Sequence, residues 1–422
     1  MSREKKARQS RGRLSGGRLN LGSLLCAMLA GGAMMLAAGC ASIGLPGPED
    51  MAVQPRFIAM FVVSTRRSEH GTSSEIIEER ARYSLQRVSV PPGHEPGNVE
   101  RPAFGSEDPQ KHFVVISQRG LDETAFYTEL ASHISGRIGS DRDILLYVHG
   151  FNVSYDQARY RLAQIADDAR FGGVKVLYTW PATGSLLDYG AAKENATAAR
   201  DALTKLILRL SEVPDVGRVH ILAHSMGAWL AMEALRENAI SGSPDLNGKL
   251  GDVMLAAPDI DLNVFRQQLA HLDPSHVSVL VSANDRALSI SRTLAGDRPR
   301  LGGLNPNNPA DRAALDELGV KAYDLSKEST GLIGHGTYAD APQAVRTIGS
   351  QLTEQRPQDA NVQAVLGDRP VDSKIIETPL TPPLPPPTGP PAPPPAGPPA
   401  PPPAGPSSSP ASAANPDTPP PR

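Results

Sequence analysis

Along the middle of the chain, short apolar runs alternate with stretches whose apolar residues recur at helical spacing. The runs are FIAMFVVS (Phe57–Ser64), HFVVIS (His112–Ser117), DILLYVHG (Asp143–Gly150), VKVLYTW (Val174–Trp180), RVHILAH (Arg218–His224), DVMLAAP (Asp252–Pro258), VSVLVSA (Val277–Ala283) and VKAYDL (Val320–Leu325). From Asp143 onward nearly every pair is separated by a helical stretch such as SYDQARYRLAQIADDAR. That alternation predicts an α/β fold, a mostly parallel sheet of about eight strands with helices on both faces. The earlier runs lack such crossovers, which predicts an antiparallel start to the sheet, with VSVPPGHEPGNVERPAFG as an irregular surface excursion. Residues 55–352 are expected to form this single domain, an ordinary size for the class.

Composition changes the picture at both ends. Residues 1–20 carry seven Lys/Arg and one Glu, residues 21–39 are apolar or small, and LAAGC closes the stretch at Cys40. Basic, apolar and small-residue regions in that order predict a signal peptide over residues 1–39, which takes no part in the fold. The cysteine directly after Ala38-Gly39 resembles the lipobox of bacterial lipoproteins, where cleavage leaves that cysteine first in the mature chain and acylated. The leucine expected three positions before the cysteine stands one earlier, as Leu36, with Ala37 in its place. A plain membrane anchor is the alternative, since the 19 residues from Leu21 to Gly39 reach the ~18 that span a bilayer. Ala41 and Ser42 carry no acidic retention mark, which the lipoprotein resemblance reads as delivery to the outer membrane, facing the periplasm of a bacterial envelope. Residues 40–54 would then be an anchor linker.

The second cysteine, Cys26, would leave with the signal peptide, so the mature chain forms no internal disulfide and Cys40 reads as a lipidation site. Losing residues 1–39 takes the formal net charge from −3 to −9, which argues against a nucleic-acid partner. At the other end, residues 353–378 read as a linker. Pro379–Arg422 holds 22 of the 41 prolines and repeats GPPAPPPA twice in register from Gly389. Such a segment builds no core. It is expected to be a disordered tail of polyproline II character, ~3.1 Å per residue, serving as a spacer or contacting envelope components.

The stretch RVHILAHSMGAWLAMEAL runs from an apolar strand straight into a helix, with Ser225 at the join. A serine on so sharp a turn needs small residues two before and two after it, and Ala223 and Gly227 occupy those places. The hydroxyl is thereby lifted above the carboxyl ends of the strands, and the first N–H of the following helix, that of Met226, is free to face a developing negative charge. A serine can also merely cap a helix. The placement of strand, turn and helix favours the nucleophile.

A serine hydroxyl needs a base and an orienting acid, in the chain order Ser, Asp/Glu, His. Seven of the ten histidines do not follow the serine, and His224 directly precedes it, where its side chain is expected to diverge from the hydroxyl. His271 and His276 fall just before a strand, the wrong end of a parallel sheet. His335, in LIGHGTY after the last strand, is the candidate base. Asp285 follows VSVLVSA and is the favoured acid, with Asp259 and Asp261 as rivals on the preceding strand. A second oxyanion donor is expected from the loop in YVHGFNVSY, at Phe151, where Gly150 lets the backbone approach closely. Asn152 and Ser154 read as caps of the next helix. No H-E-x-x-H or similar spacing occurs, so neither metal nor cofactor is expected. At 5% aromatic content, no row of rings suggests a sugar-stacking groove.

Taken in order, LYVHGFNVSYDQA, VLYTWPATGSLLDYG, ILAHSMGAWLAMEAL, VMLAAPDIDLNVF, SANDRAL and GHGTY resemble the bacterial alpha/beta-hydrolase family long catalogued as a domain of unknown function and often carried on lipoproteins. The likeness covers approximately residues 55–350. It implies an alpha/beta-hydrolase fold, a serine esterase or related acyl hydrolase, and Ser225, Asp285 and His335 as the triad. The Trp180-Pro181 pair matches the family pattern and is expected to pack beside the site. The expected function is a lipid-anchored envelope serine hydrolase cleaving a small-molecule or lipid ester. The rival is an inactive hydrolase fold used for envelope binding or tethering, with the proline-rich tail as its working part. Acyl transfer to an alcohol would share the whole mechanism.

Overall fold

The computed structural model describes residues 53–66, 77–182, 184, 188–328 and 334–353. The expected signal peptide, Cys40, nearly all of both expected linkers and the proline-rich segment lie outside these residues. The strands are β1 (Arg56–Arg66), β2 (Ile77–Val90), β3 (Val114–Leu121), β4 (Ile144–Val148), β5 (Val174–Thr179), β6 (Val219–His224), β7 (Leu250–Ala256), β8 (Val277–Val281) and β9 (Lys321–Asp324). They form one sheet in the order β3-β2-β1-β5-β4-β6-β7-β8-β9. β2 runs antiparallel to both its neighbours, while every other described pairing is parallel. The antiparallel start is therefore present, and the sheet has nine strands where the apolar runs predicted about eight.

The extra strand, β2, has no continuous apolar run. In its first half Ala81, Tyr83 and Leu85 pack on one side of the sheet, and in its second half Val88 and Val90 pack on the other. The period-two signal therefore changes phase midway, and neither half resembles a strand buried on both faces.

The central strands are apolar throughout because both sides are covered. In β4, Ile144, Leu146 and Val148 face one core while Leu145 and Tyr147 face the other. The first core receives α1 (Glu123–Ile134), α3 (Tyr189–Ser211), α4 (Met226–Ile240), α5 (Leu262–Leu269) and α7 (Pro309–Leu318). The second receives α2 (Tyr155–Asp168), α8 (Thr337–Asp340) and α9 (Pro342–Thr353). α6 (Arg286–Leu294) follows β8. Helix starts obey local chemistry: Ser154 opens α2 through a capping box with Gln157, and Asn308 caps α7, whose first residue is Pro309. Asn152 does not cap. It takes a left-handed φ of 54° ahead of the helix, and its N–H donates to the Ala182 carbonyl. Among the described residues no helix is long and apolar enough to cross a membrane.

The segment read as a surface excursion is more firmly seated than expected. Val88, Ser89 and Val90 are buried in β2, and beyond them His94 sits between two carboxylates, Nδ1 2.9 Å from Glu100 Oε2 and Nε2 2.9 Å from Asp168 Oδ1. The Gly97 N–H donates to Asp168 Oδ2 at 2.8 Å. Gly97 has a φ of 92°, and a Cβ there would collide with the Asp340 carbonyl. The segment thus bridges α2 and α8.

Burial lowers the His94 pKa, but the bonds to Asp168 and Glu100 outweigh it and hold the ring above its ordinary value. A raised folded-state pKa contributes stability that is fully present below the unfolded value and is lost as pH rises through the folded one. His94→Gln should therefore cost about 1–3 kcal/mol at about pH 5.5, and the deficit should shrink as pH rises through the raised His94 pKa. Urea midpoints of both proteins across that range measure it. A deficit that grows with pH would show that the ring is neutral in the folded state.

Candidate active site

Ser225 is the single residue between β6 and α4, with φ 55° and ψ −123°. For a residue with a Cβ this is a strained conformation, which persists only where the surroundings over-determine it. They do so here through three main-chain bonds. The Ser225 N–H donates to Ala256 O at 3.0 Å, and the Ser225 carbonyl accepts from Asp259 N at 3.2 Å and Ala228 N at 3.0 Å. Ala223 is wholly buried. At Gly227 a Cβ would strike the main-chain carbonyls of His149 and Val148, and at Gly150 it would lie 2.9 Å from Ser225 Cβ. The small residues are thus required by the closeness of β4 and its following loop to the turn.

Asp285 does two jobs. As the N-cap of α6 it accepts from Leu288 N through Oδ1 at 3.0 Å, and its Oδ2 accepts from His335 Nδ1 at 2.7 Å. The carboxylate is fully buried and the imidazole largely so. A carboxylate accepts only, so a proton lies on Nδ1, and in the neutral ring His335 Nε2 is the lone-pair acceptor. Among the described residues Ser225 Oγ makes no hydrogen bond with that ring. Such contacts are commonly long before substrate binds.

The rival acids are engaged elsewhere. Asp259, also buried, accepts from Tyr189 Oη and Ser291 Oγ at 2.6 Å each and lies 3.3 Å from Arg300 Nε. Asp261 caps α5 through Asn263 N and Val264 N. His276 binds the Gly251 carbonyl at the amino end of β7, the opposite edge from Ser225.

Both residues expected to stabilise an oxyanion flank the turn. Met226 is the first residue of α4, Phe151 follows Gly150, and among the described residues neither backbone N–H has an acceptor. The Phe151 ring meets Tyr189 edge-on at 6.0 Å. Trp180 is buried, stacks on His149 at 5.6 Å and 3°, and donates through Nε1 to the His149 carbonyl at 3.0 Å.

Two contributors have no sequence motif. Arg66, at the end of β1, donates to Val153 O at 2.6 Å and Thr179 Oγ1 at 2.7 Å, and its Nη2 lies 3.1 Å from His149 Nε2, tying the loop after β4 to β1 and β5. Burial holds the His149 pKa well below its ordinary value, and the Arg66 charge pushes the same way against the bond to the Gly150 carbonyl. A neutral His149 with its proton on Nδ1 can then accept from Arg66. The second is His224: its ring packs 4.6 Å from the His335 ring, with Nε2 3.0 Å from the His335 carbonyl.

One cluster has a composition that could hold a cation. Ligand atoms of His94, Asp167 and Asp168 lie within 4.8 Å of one another. Their donors are already in place: Arg56 binds both oxygens of Asp167, while His94, Gln164 and Gly97 N serve Asp168.

A parallel sheet with a strained serine between strand and helix, and a carboxylate-bound histidine at the same edge, defines an alpha/beta hydrolase. The chain belongs to the family described as alpha/beta hydrolase of unknown function (DUF900), whose model matches residues 122–356. An uncharacterized protein of the cyanobacterium Nostoc is 24% identical over 123 residues, which cover 23% of this chain. The chain spans about a third, 32%, of that relative's length. Among solved structures, a Pyrobaculum calidifontis esterase is 13% identical, with 78% of this chain and 92% of that one covered and a TM-score of 0.34. A bacterial brefeldin A esterase is 14% identical, with coverage of 82% and 84% and a TM-score of 0.31.

Gly227→Ala should destabilise the protein by at least about 2 kcal/mol, since the new methyl meets main-chain carbonyls that cannot step aside. Thermal melting measures it. A variant melting with wild type would show that β4 and the turn can separate freely.

Proposed function

We propose that this protein is a serine hydrolase that cleaves carboxylic esters through an acyl-enzyme on Ser225. The observation that carries the reading is the 2.7 Å bond between His335 Nδ1 and a buried Asp285, set beside a strained serine at the strand-to-helix turn. Ser225 Oγ attacks the ester carbonyl carbon while its proton passes to His335 Nε2. Asp285 fixes the tautomer and stabilises the imidazolium without taking the proton. The N–H groups of Met226 and Phe151 receive the oxyanion. Collapse of the tetrahedral intermediate breaks the bond to the alkoxy oxygen, which leaves with the proton from His335. Water, deprotonated by the same Nε2, then attacks the acyl-enzyme and frees acid and serine. The substrates of this reading are small-molecule or lipid esters, and no step calls for a metal or cofactor.

The amino-terminal stretch supports an envelope location in the same reading. Cys40, after Leu36-Ala37-Ala38-Gly39, is the acylated first residue of the mature chain and holds the hydrolase at the membrane. One acyl chain binds a bilayer only marginally, at ~0.8 kcal/mol per buried methylene, so stable retention needs the several chains of a lipoprotein.

Ser225→Ala should fold normally and lose turnover on a soluble aryl ester by on the order of 10⁴-fold. Residual activity above about a hundredth of wild type, or no labelling of the wild-type serine by a fluorophosphonate, would remove the hydrolase assignment and leave a binding or tethering protein. Asp285→Asn should slow turnover by ~10³–10⁴, more than Asp259→Asn does per folded molecule. If Asp259→Asn is the worse, the acid lies on β7.

For the anchor, mass spectrometry of the mature amino terminus should find an acylated Cys40, and Cys40→Ser should abolish the modification. An intact Met1 on membrane-bound protein would instead indicate an ordinary transmembrane anchor.

A further inference from the structure

His224 takes no part in the steps above, yet it is buried against the segment that carries the base. Its Nε2 lies 3.0 Å from the His335 carbonyl, and its ring sits 4.6 Å from the His335 ring and 4.5 Å from that of Tyr338, at 26° to the latter. On its other side, a Cβ at Gly150 would come within 2.8 Å of Nδ1. A carbonyl can only accept, so His224 carries its proton on Nε2.

The base needs such help. Among the described residues its side chain has one hydrogen bond, through Nδ1 to Asp285, and it stands between Gly334, with φ 71°, and Gly336. The residues after it are fastened to the second core: Tyr338 Oη bonds Tyr147 Oη at 2.7 Å, Gln164 donates to Ala339 O at 3.1 Å, and Arg161 pairs with Asp340 at 2.7 Å. Among the described residues, the bond from His224 is the hydrogen bond that ties the main chain of His335 itself to the serine turn.

We propose that His224 is a positioning residue: its Nε2–H clamps the His335 carbonyl to the residue preceding the nucleophile, so that the distance from His335 Nε2 to Ser225 Oγ is set by one covalent neighbour and one hydrogen bond. The inference rests on the serine-hydrolase reading. His224 is suited to the place because burial, and then the neighbouring His335, push its pKa well below the ordinary value against the opposing bond to the His335 carbonyl. Staying neutral, it adds no charge to oppose the imidazolium formed on His335 during acyl transfer. A lysine or arginine could supply the same donor only at the cost of that repulsion.

The test compares variants that keep or lose the donor. His224→Phe keeps a ring on Tyr338 and removes the N–H, whereas His224→Gln returns an amide donor. Three readouts are taken on the full chain: the rate of fluorophosphonate labelling of Ser225, kcat and KM on p-nitrophenyl acetate, and the downfield proton resonance of the His335–Asp285 pair. The Phe variant should label and turn over about 10- to 100-fold more slowly, the loss of one to two hydrogen-bond equivalents in transition-state terms, with KM within about two-fold of wild type. The Gln variant should recover most of the rate. The downfield proton resonance of the His335–Asp285 bond should broaden in Phe and sharpen again in Gln. If Phe labels at the wild-type rate, or Phe and Gln are equally slow, His224 merely packs and the inference is overturned. Should Phe melt early, His224→Gln against His224→Met, alike in length and differing in the donor, makes the same comparison. Failure of the wild-type protein to label would overturn the hydrolase reading as well, an outcome distinct from equal labelling of all variants.

Discussion

The backbone of Ser225 is the constraint on which the rest depends. A residue with a Cβ at φ 55° and ψ −123° relaxes unless it is held, and the holding groups come from three separate strands. β6 delivers the serine, the carboxyl end of β7 accepts its N–H through Ala256, and Asp259 beyond β7 caps its carbonyl. β4 closes from the other side, near enough that Gly227 and Gly150 have no room for a methyl group. A parallel sheet is what brings three carboxyl ends to one edge in register. The long run of hydrophobic crossovers therefore has a local purpose as well as a global one: their packing maintains a turn that local propensity would not choose.

The parts of this arrangement that were readable in the sequence are those where one segment carries its own signal. The turn is contiguous, and Ala223, Ser225 and Gly227 announce it together. The parallel strands are covered on both faces, so their apolar runs are unbroken. Asp285 and His335 could be picked out because each follows a strand, although nothing in the sequence says that Asp285 bonds His335 while Asp259 turns to Tyr189, Ser291 and Arg300. That choice is made by tertiary placement. β2 was not legible for a different reason: its apolar residues change faces at mid-strand, and its opening IEERAR reads as a solvated stretch. Arg66 and His224 were invisible as contributors because their partners lie far away in sequence and include main-chain carbonyls, at Val153 and His335, which leave no trace in composition.

The excursion between β2 and β3 follows the same logic. Rich in proline and glycine, it has the composition of a loop, but one buried imidazole held by Glu100 and Asp168 moors it to α2. Gly97 then leans on Asp340, in the short helix that follows His335. Residues far from the edge of the sheet in sequence and in chemistry thus brace the segment that carries His335.

The residues flanking the serine and those that follow the histidine pack into different cores. The residues around the turn pack with α3 and α4, whereas Tyr338, Ala339 and α9 pack with α2 on the reverse side. Proteins open in contiguous cooperative units well below the cost of global unfolding. Here a partial detachment of the last two helices would withdraw His335 while leaving the central strands and their amide protection intact. In the serine-hydrolase reading proposed above, reactivity of the serine hydroxyl would report whether the last two helices are docked, a quantity distinct from whether the sheet is folded.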